Sequence, residues 1–193
     1  IVIIINQGLK KYGGDLAIGA FGIVNRLVFI VVMIVMGLNQ GMQPIAGYNF
    51  GAKLYGRVNK VLRLTIIYAT VVTTFGFLVG MLVPDLVVGI FTSDAELTEL
   101  SVTGLRITVM FFPIIGFQMV TSNFFQSIGM AGKAIFLSLT RQMLILLPCL
   151  LVLPQFFGVA GVWYSMPVSD LLASLIALVM LVCQFRKFRT SPL

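Results

Sequence analysis

One stretch concentrates the side chains able to do chemistry. It reads Gly37-Leu38-Asn39-Gln40-Gly41-Met42-Gln43-Pro44-Ile45-Ala46-Gly47-Tyr48-Asn49-Phe50-Gly51-Ala52-Lys53. Each side-chain amide both donates and accepts hydrogen bonds. Pro44 removes a backbone donor and permits a bend. Gly37/Gly41 and Gly47/Gly51 are G-x-x-x-G pairs, which let helix backbones approach closely. Two readings follow for the amides at or near membrane depth. The segment is either a helix end with wetted or capping amides, or a flexible, polar-lined helix beside a substrate cavity.

Charge supplies the next candidates. Arg26 lies about two turns into an apolar run, and Asp170 is the only acid in the middle of one. An Arg at the bilayer centre costs at least ~2.5–3.5 kcal/mol on insertion scales, so it needs a partner or a water-filled cavity. The two residues fall at comparable depth. The spacing predicts that they interact, directly or through water, with Asn25 nearby. Such a pair either ties two helices together or forms a cavity charge that senses protons, cations or substrate. Gln118, Ser122 and Gln126 follow at i, i+4 and i+8, a polar stripe that faces protein or water, with Asn123 beside it. Arg106 and Arg141 lie nearer the ends of their runs, where snorkelling is the simple account. Arg141-Gln142 closing an inner gate is the alternative.

The elements that must position these residues follow from composition. Of 193 residues, 59% are hydrophobic and 10% charged. A soluble domain is ~45–50% apolar with Gly included and ~25% charged. That excludes an ordinary soluble enzyme, a disordered chain and a disulfide scaffold, and leaves an integral membrane protein. There is no His, and Cys149 and Cys183 sit in apolar runs without ligands at metal spacing, so no metal site is expected. Five runs are long enough to span as helices: about Leu16–Ala46, Leu64–Val83, Leu105–Ile128, Ala134–Leu153 and Val159–Phe185. Pro148 and Pro167 predict kinks in the last two. Thr92-Ser93-Asp94 with Glu96 predicts a helix start near Ala95, ahead of the third span. The apolar run Ile1–Ile5 is too short to span and reads as the tail of a helix that begins outside this chain.

Basic residues orient the bundle. Lys53, Arg57, Lys60 and Arg63 follow the first span, Lys133 and Arg141 the third, and Arg186, Lys187 and Arg189 the fifth. All fall on one side if the helices alternate, and that side is expected to be cytoplasmic. The other side holds Lys10 and Lys11, but also Asp15, Asp85, Asp94, Glu96 and Glu99. Orientation alone explains the basic segment Lys53–Arg63, and a patch for anionic lipid is its alternative reading.

With Asn25-Arg26 before it, the run Gly37 to Lys53 resembles the eighth-helix signature of the multidrug and toxic compound extrusion (MATE) transporters. Gln126-Ser127-Ile128-Gly129-Met130-Ala131-Gly132-Lys133, with Ser138 and Arg141-Gln142, resembles the family's join of helices ten and eleven. Gly158-Val159-Ala160-Gly161-Val162-Trp163-Tyr164, with Pro167 and Ser169-Asp170, resembles the start of its helix twelve. The resemblance covers essentially the whole chain and is nearest to the MepA-type bacterial branch. It implies the C-terminal lobe of a twelve-helix fold, from the end of helix seven through helix twelve. The expected fold is therefore an all-α integral membrane bundle, a single lobe over residues 1–193. It has five full transmembrane helices and the tail of a preceding one.

The implied activity is secondary antiport in the bacterial inner membrane, not enzymatic catalysis. Small amphipathic or cationic compounds leave in exchange for H+ or Na+, with no other cofactor. The implied partners are those substrates, membrane lipids and the missing N-terminal lobe of the same polypeptide; no nucleic acid is expected. One branch of the family places cation-binding acids on helices seven and ten, but Leu105 to Ile128 contains no acid. The candidate cavity-lining residues are Asn25, Arg26, Gln40, Gln43, Gln118, Asn123, Gln126 and Asp170. The rival in the same wider superfamily, a flippase for lipid-linked saccharides, needs more cavity cations than Arg26. A membrane-embedded enzyme lacks the His or paired acids it requires. A bare structural bundle needs neither the polar stripe nor the interrupted helices.

Overall fold

A computed structural model describes residues 1–190, with side chains through Arg186. The basic tail residues Lys187 and Arg189 lie outside the described side chains. In chain order the helices are α1 (Val2–Gly51), α2 (Tyr55–Leu82), α3 (Pro84–Gly89), α4 (Ala95–Val109) and α5 (Phe112–Ser127). Then come α6 (Ala131–Leu139), a π-helical segment (Thr140–Leu146), α7 (Leu147–Phe157) and α8 (Val159–Thr190). The all-α membrane bundle expected from composition is the fold observed. Among the described residues, α1, α2, the run Ala131–Phe157 and α8 are long and apolar enough to cross a membrane. The pair α4–α5, bent by 54°, makes a fifth span when taken together.

Each break has a local cause. Gly14 interrupts α1 at φ 68°, ψ −163°, a conformation closed to residues with a Cβ. It separates residues 2–13 from residues 15–51. Pro113 lacks the N–H that would bond to the carbonyl of Val109, and α4 ends at Val109. Pro148 likewise denies a donor to Leu144, inside the π segment, where the N–H of Leu147 reaches the carbonyl of Gln142. Pro44 and Pro167 sit inside helices that continue through them. Asp94 caps α4 as the sequence predicts, its Oδ1 accepting from the N–H of Leu97 at 2.9 Å.

The basic segment is mostly helical. The link between α1 and α2 is only residues 52–54, with Lys53 in the left-handed region at φ 58°. Arg57, Lys60 and Arg63 occupy the first turns of α2.

The glycines of α1 do not pack as their spacing suggests. In the two G-x-x-x-G pairs, a Cβ added at Gly37, Gly41 or Gly51 meets nothing within 4 Å and one at Gly47 approaches the carbonyl of Ser127 at 3.0 Å, whereas one at Gly13 of the same helix meets Val159 at 2.6 Å. The tight approaches lie elsewhere. Gly104 on α4 lies beneath the Trp163 ring, 2.6 Å from its carbons for an added Cβ. Gly161 faces the Leu153 carbonyl too closely for a Cβ, and Gly158 at φ 57° makes the sharp turn from α7 into α8.

The apolar side chains form two cores. One gathers Leu9, Phe21, Val24, Val88, Leu105 and Trp163, with Phe21 and Trp163 rings 5.9 Å apart. The other gathers Val35, Met42, Leu62, Phe124, Phe125 and Leu137, with Phe185 stacked on Phe124 at 6.4 Å.

Candidate functional site

The two cores are separated along the bundle axis by a belt of buried polar side chains. On α2, Thr73 falls between Ala69 of one core and Phe77 of the other. On α5, Gln118 falls between Ile115 and Val120. Thr140 and Arg141 fall between Leu137 and Leu150. On α8, Ser169, Asp170 and Ser174 fall between Trp163 and Ala177. Most of the hydroxyls turn onto their own helix. Thr73 donates to the Ala69 carbonyl at 2.9 Å, Ser169 to Met166 at 2.8 Å, and Ser174 to Asp170 at 2.6 Å. Such back-bonding satisfies a hydroxyl where water is scarce.

At the centre of the belt Arg141 Nε donates to Asp170 Oδ1 at 2.7 Å. The Asp170 side chain is 7% exposed and that of Arg141 34%. A buried carboxylate needs a partner, because desolvation without one costs several kcal/mol or more. The guanidinium carries five N–H donors, and only Nε is engaged among the described residues. Arg141 is the second residue of the π segment, which carries it opposite α8. A second tie, from Lys133 Nζ to Gln184 Oε1, joins the start of α6 to the far end of α8. Lys133 also lies over the Phe125 ring at 5.3 Å. The two ties fix α6, the π segment and α7 antiparallel to α8.

This overturns the expected pairing of Arg26 with Asp170. Asp170 is held by Arg141, while Arg26 is exposed and forms no salt bridge among the described residues. Counting residues from the helix ends gives depth, not the face a side chain occupies. Sequence reasoning also passed over Ser165 and Ser174, the latter donating to the Asp170 carbonyl. Their spacing of five and four residues from Asp170 along α8 was the available signal.

The other candidates divide into three groups. Gln43 and Asn123 come together, Gln43 Nε2 donating to Asn123 Oδ1 at 3.3 Å, across α1 and α5. Gln118 is buried. Asn25, Arg26, Gln40 and Gln126 are exposed. The stripe Gln118, Ser122, Gln126 thus runs from core to surface and does not line one wall. Asn39 is 2% exposed, and neither amide atom has a hydrogen-bond partner among the described residues. Apart from the belt, an apolar cavity of ≈ 220 Å³ opens between α1, α2 and α4, lined by Val31, Phe75, Val79 and Leu105 among others. No group of three or more Cys, Asp or Glu able to hold a metal occurs among the described residues.

A family model described as MatE matches residues 2–151. The multidrug export protein MepA of Staphylococcus aureus (strain MSSA476) is 28% identical over 176 residues, 91% of this chain and 38% of MepA. MepA of Staphylococcus saprophyticus is 25% identical over the same length. Among solved structures, the MATE multidrug transporter DinF-BH, solved as a complex, is 37% identical with a TM-score of 0.82. That match covers 95% of this chain and 41% of DinF-BH. An outward-facing MATE family transporter of the MOP superfamily superposes at a TM-score of 0.90 with 18% identity, over 98% of this chain and 43% of that one, and shares the fold. The chain therefore spans about two fifths of the length of the relatives it matches. Its apolar helices and this kinship make it a multi-pass membrane protein. The long match to the family model is decisive: the chain belongs to the MatE family.

Proposed function

We propose that this chain forms the C-terminal lobe of a secondary active multidrug antiporter in a bacterial inner membrane. It exports amphipathic or cationic compounds in exchange for H+ or Na+, with its C terminus in the cytoplasm. The observation that carries this reading is the exposed face of α1. Arg26, Met33, Gly37, Gln40, Gly41, Pro44 and Tyr48 share that face and are all exposed, while Val24, Val35, Asn39 and Met42 on the other side are buried. Arg26 without a partner is too costly to leave in lipid. This face therefore looks into water, in a cavity completed by the other lobe. Arg26 is the only cation between residues 15 and 51, too few for a pyrophosphate headgroup. The Gln43–Asn123 bond closes one edge of the face. A coupling ion acting at Asp170 has to displace Arg141 from it.

The test uses the complete gene product in proteoliposomes, in a Cys149→Ala, Cys183→Ala background. Ethidium efflux is measured with sodium and proton gradients imposed separately. The expected result is efflux under one of them, and none under either sinks the antiporter reading. A membrane-impermeant thiol reagent is expected to label Gln40→Cys but not Phe75→Cys, which faces the apolar side of α2. Equal protection of both places the α1 face in lipid.

A further inference from the structure

The outer face of α2 carries a feature that transport does not explain. A surface cavity of ≈ 450 Å³ is lined by Gly56, Asn59, Lys60, Arg63, Leu64 and Ile67. These residues recur at three- and four-residue spacing, so they form one face of the helix. Lys60 and Arg63 are exposed, and neither makes a hydrogen bond or salt bridge among the described residues. The α2 sequence contains no acid, and all six acids of the chain lie elsewhere. Gly56 leaves the upper floor of the cavity open, with nothing within 4 Å of an added Cβ.

Directly along the helix the chemistry changes. Leu64, Ile67, Val71 and Phe75 continue the same face, all exposed. From Leu64 to Phe75 the helix advances about 16 Å, close to half of a ~30 Å hydrocarbon core. Two free cations and an amide therefore stand at the end of an apolar stripe one leaflet long. We propose that this face binds an anionic phospholipid, with its phosphate on Lys60 and Arg63 and an acyl chain along Leu64 to Phe75. Arg63 presents a planar fork that matches two phosphate oxygens, and Lys60 adds a point charge. The Asn59 amide is a neutral donor for the headgroup. Arg57, one turn earlier, deepens the positive field. A free phosphate would engage the cations and leave the stripe unused, and the length and order of the stripe favour a lipid. The inference rests on the membrane-spanning fold and stands whatever compound is transported.

Native mass spectrometry of the complete gene product tests it. The protein is purified with equimolar phosphatidylglycerol and phosphatidylcholine. The expected result is retained phosphatidylglycerol in excess over phosphatidylcholine. The double substitution Lys60→Gln, Arg63→Gln is expected to lower that retention about 30-fold, since each cation near an anionic surface contributes about a factor of five. The exchanged pair Lys60→Arg, Arg63→Lys keeps both charges and is expected to retain the lipid. Val71→Ser, Phe75→Ser is expected to lower lipid retention with the cations intact, which inorganic phosphate binding would not show. Equal retention of the two lipids overturns the proposal. So does retention unchanged by the Gln pair, or displacement of the lipid signal by millimolar inorganic phosphate. A dimer lost on the Gln substitutions, with no lipid bound, assigns the face to a second copy instead.

Discussion

Asp170 is held by a single charged group, and its chemistry follows from that. With Arg141→Gln the carboxylate stays buried and loses its counter-charge. A fully buried pair broken this way costs ~3–5 kcal/mol. Because Arg141 is 34% exposed, the expected loss here is smaller, about 2–3 kcal/mol, as solvent screens the exposed partner. The exchange Arg141→Asp with Asp170→Arg is expected to recover part of that loss. Thermal unfolding of the purified protein in detergent reads both. An exchanged pair as unstable as the worse single variant would show that Asp170 is not stabilised by pairing. Asp170 stood out in the sequence because no other acid falls inside a span, but its partner did not. Depth along a span does not give the face on which Arg141 emerges or the helix it meets. The apolar context of Arg141 read as an ordinary span end for the same reason.

Among the helices, contact is decided by individual glycines more than by motif. Gly41 belongs to a G-x-x-x-G pair, yet an added Cβ meets open space there. Gly104 belongs to no such pair, yet it carries the Trp163 ring at a distance no Cβ tolerates. Gly104→Ala is therefore expected to destabilise the lobe by about 1–3 kcal/mol through overpacking. Gly41→Ala is expected to be neutral or stabilising by up to about 1 kcal/mol, since a helical Ala loses less entropy than Gly. The shift in unfolding midpoint of the two variants checks this, and a larger loss at Gly41 would restore the motif reading. The spans themselves were legible, because twenty apolar residues in a row leave few alternatives to a membrane helix. So was the Asp94 cap, whose signal lies within four residues. The bend at Met110 and Phe111 was legible only as Pro113, and the spacing of the G-x-x-x-G pairs misled because it does not say which face a neighbour covers.

Taken whole, the lobe carries its apolar packing in two bodies with a polar belt between them. The exposed α1 face was half legible: its amides and Arg26 were evident, but which of them faces outward depends on the core they back onto. The belt was legible only in pieces: Gln118 and Asp170 stood out singly, but nothing in the sequence brings them to one level with Thr73, Thr140 and Ser174. Its consequence is energetic independence. Trp163 anchors one body and Phe124 the other, and among the described residues only Met119 packs against both bodies. Substitutions far apart with no shared partner add to within ~0.3–0.5 kcal/mol, and one flexible thioether at the border transmits little strain. Trp163→Leu and Phe124→Leu are accordingly expected to sum in the double variant, measured as unfolding free energies in denaturant. An interaction above about 1 kcal/mol would mean one continuous core. A lobe divided in this way has a seam at mid-membrane. On the antiport reading proposed above, one end of the lobe loosens while the other keeps its packing.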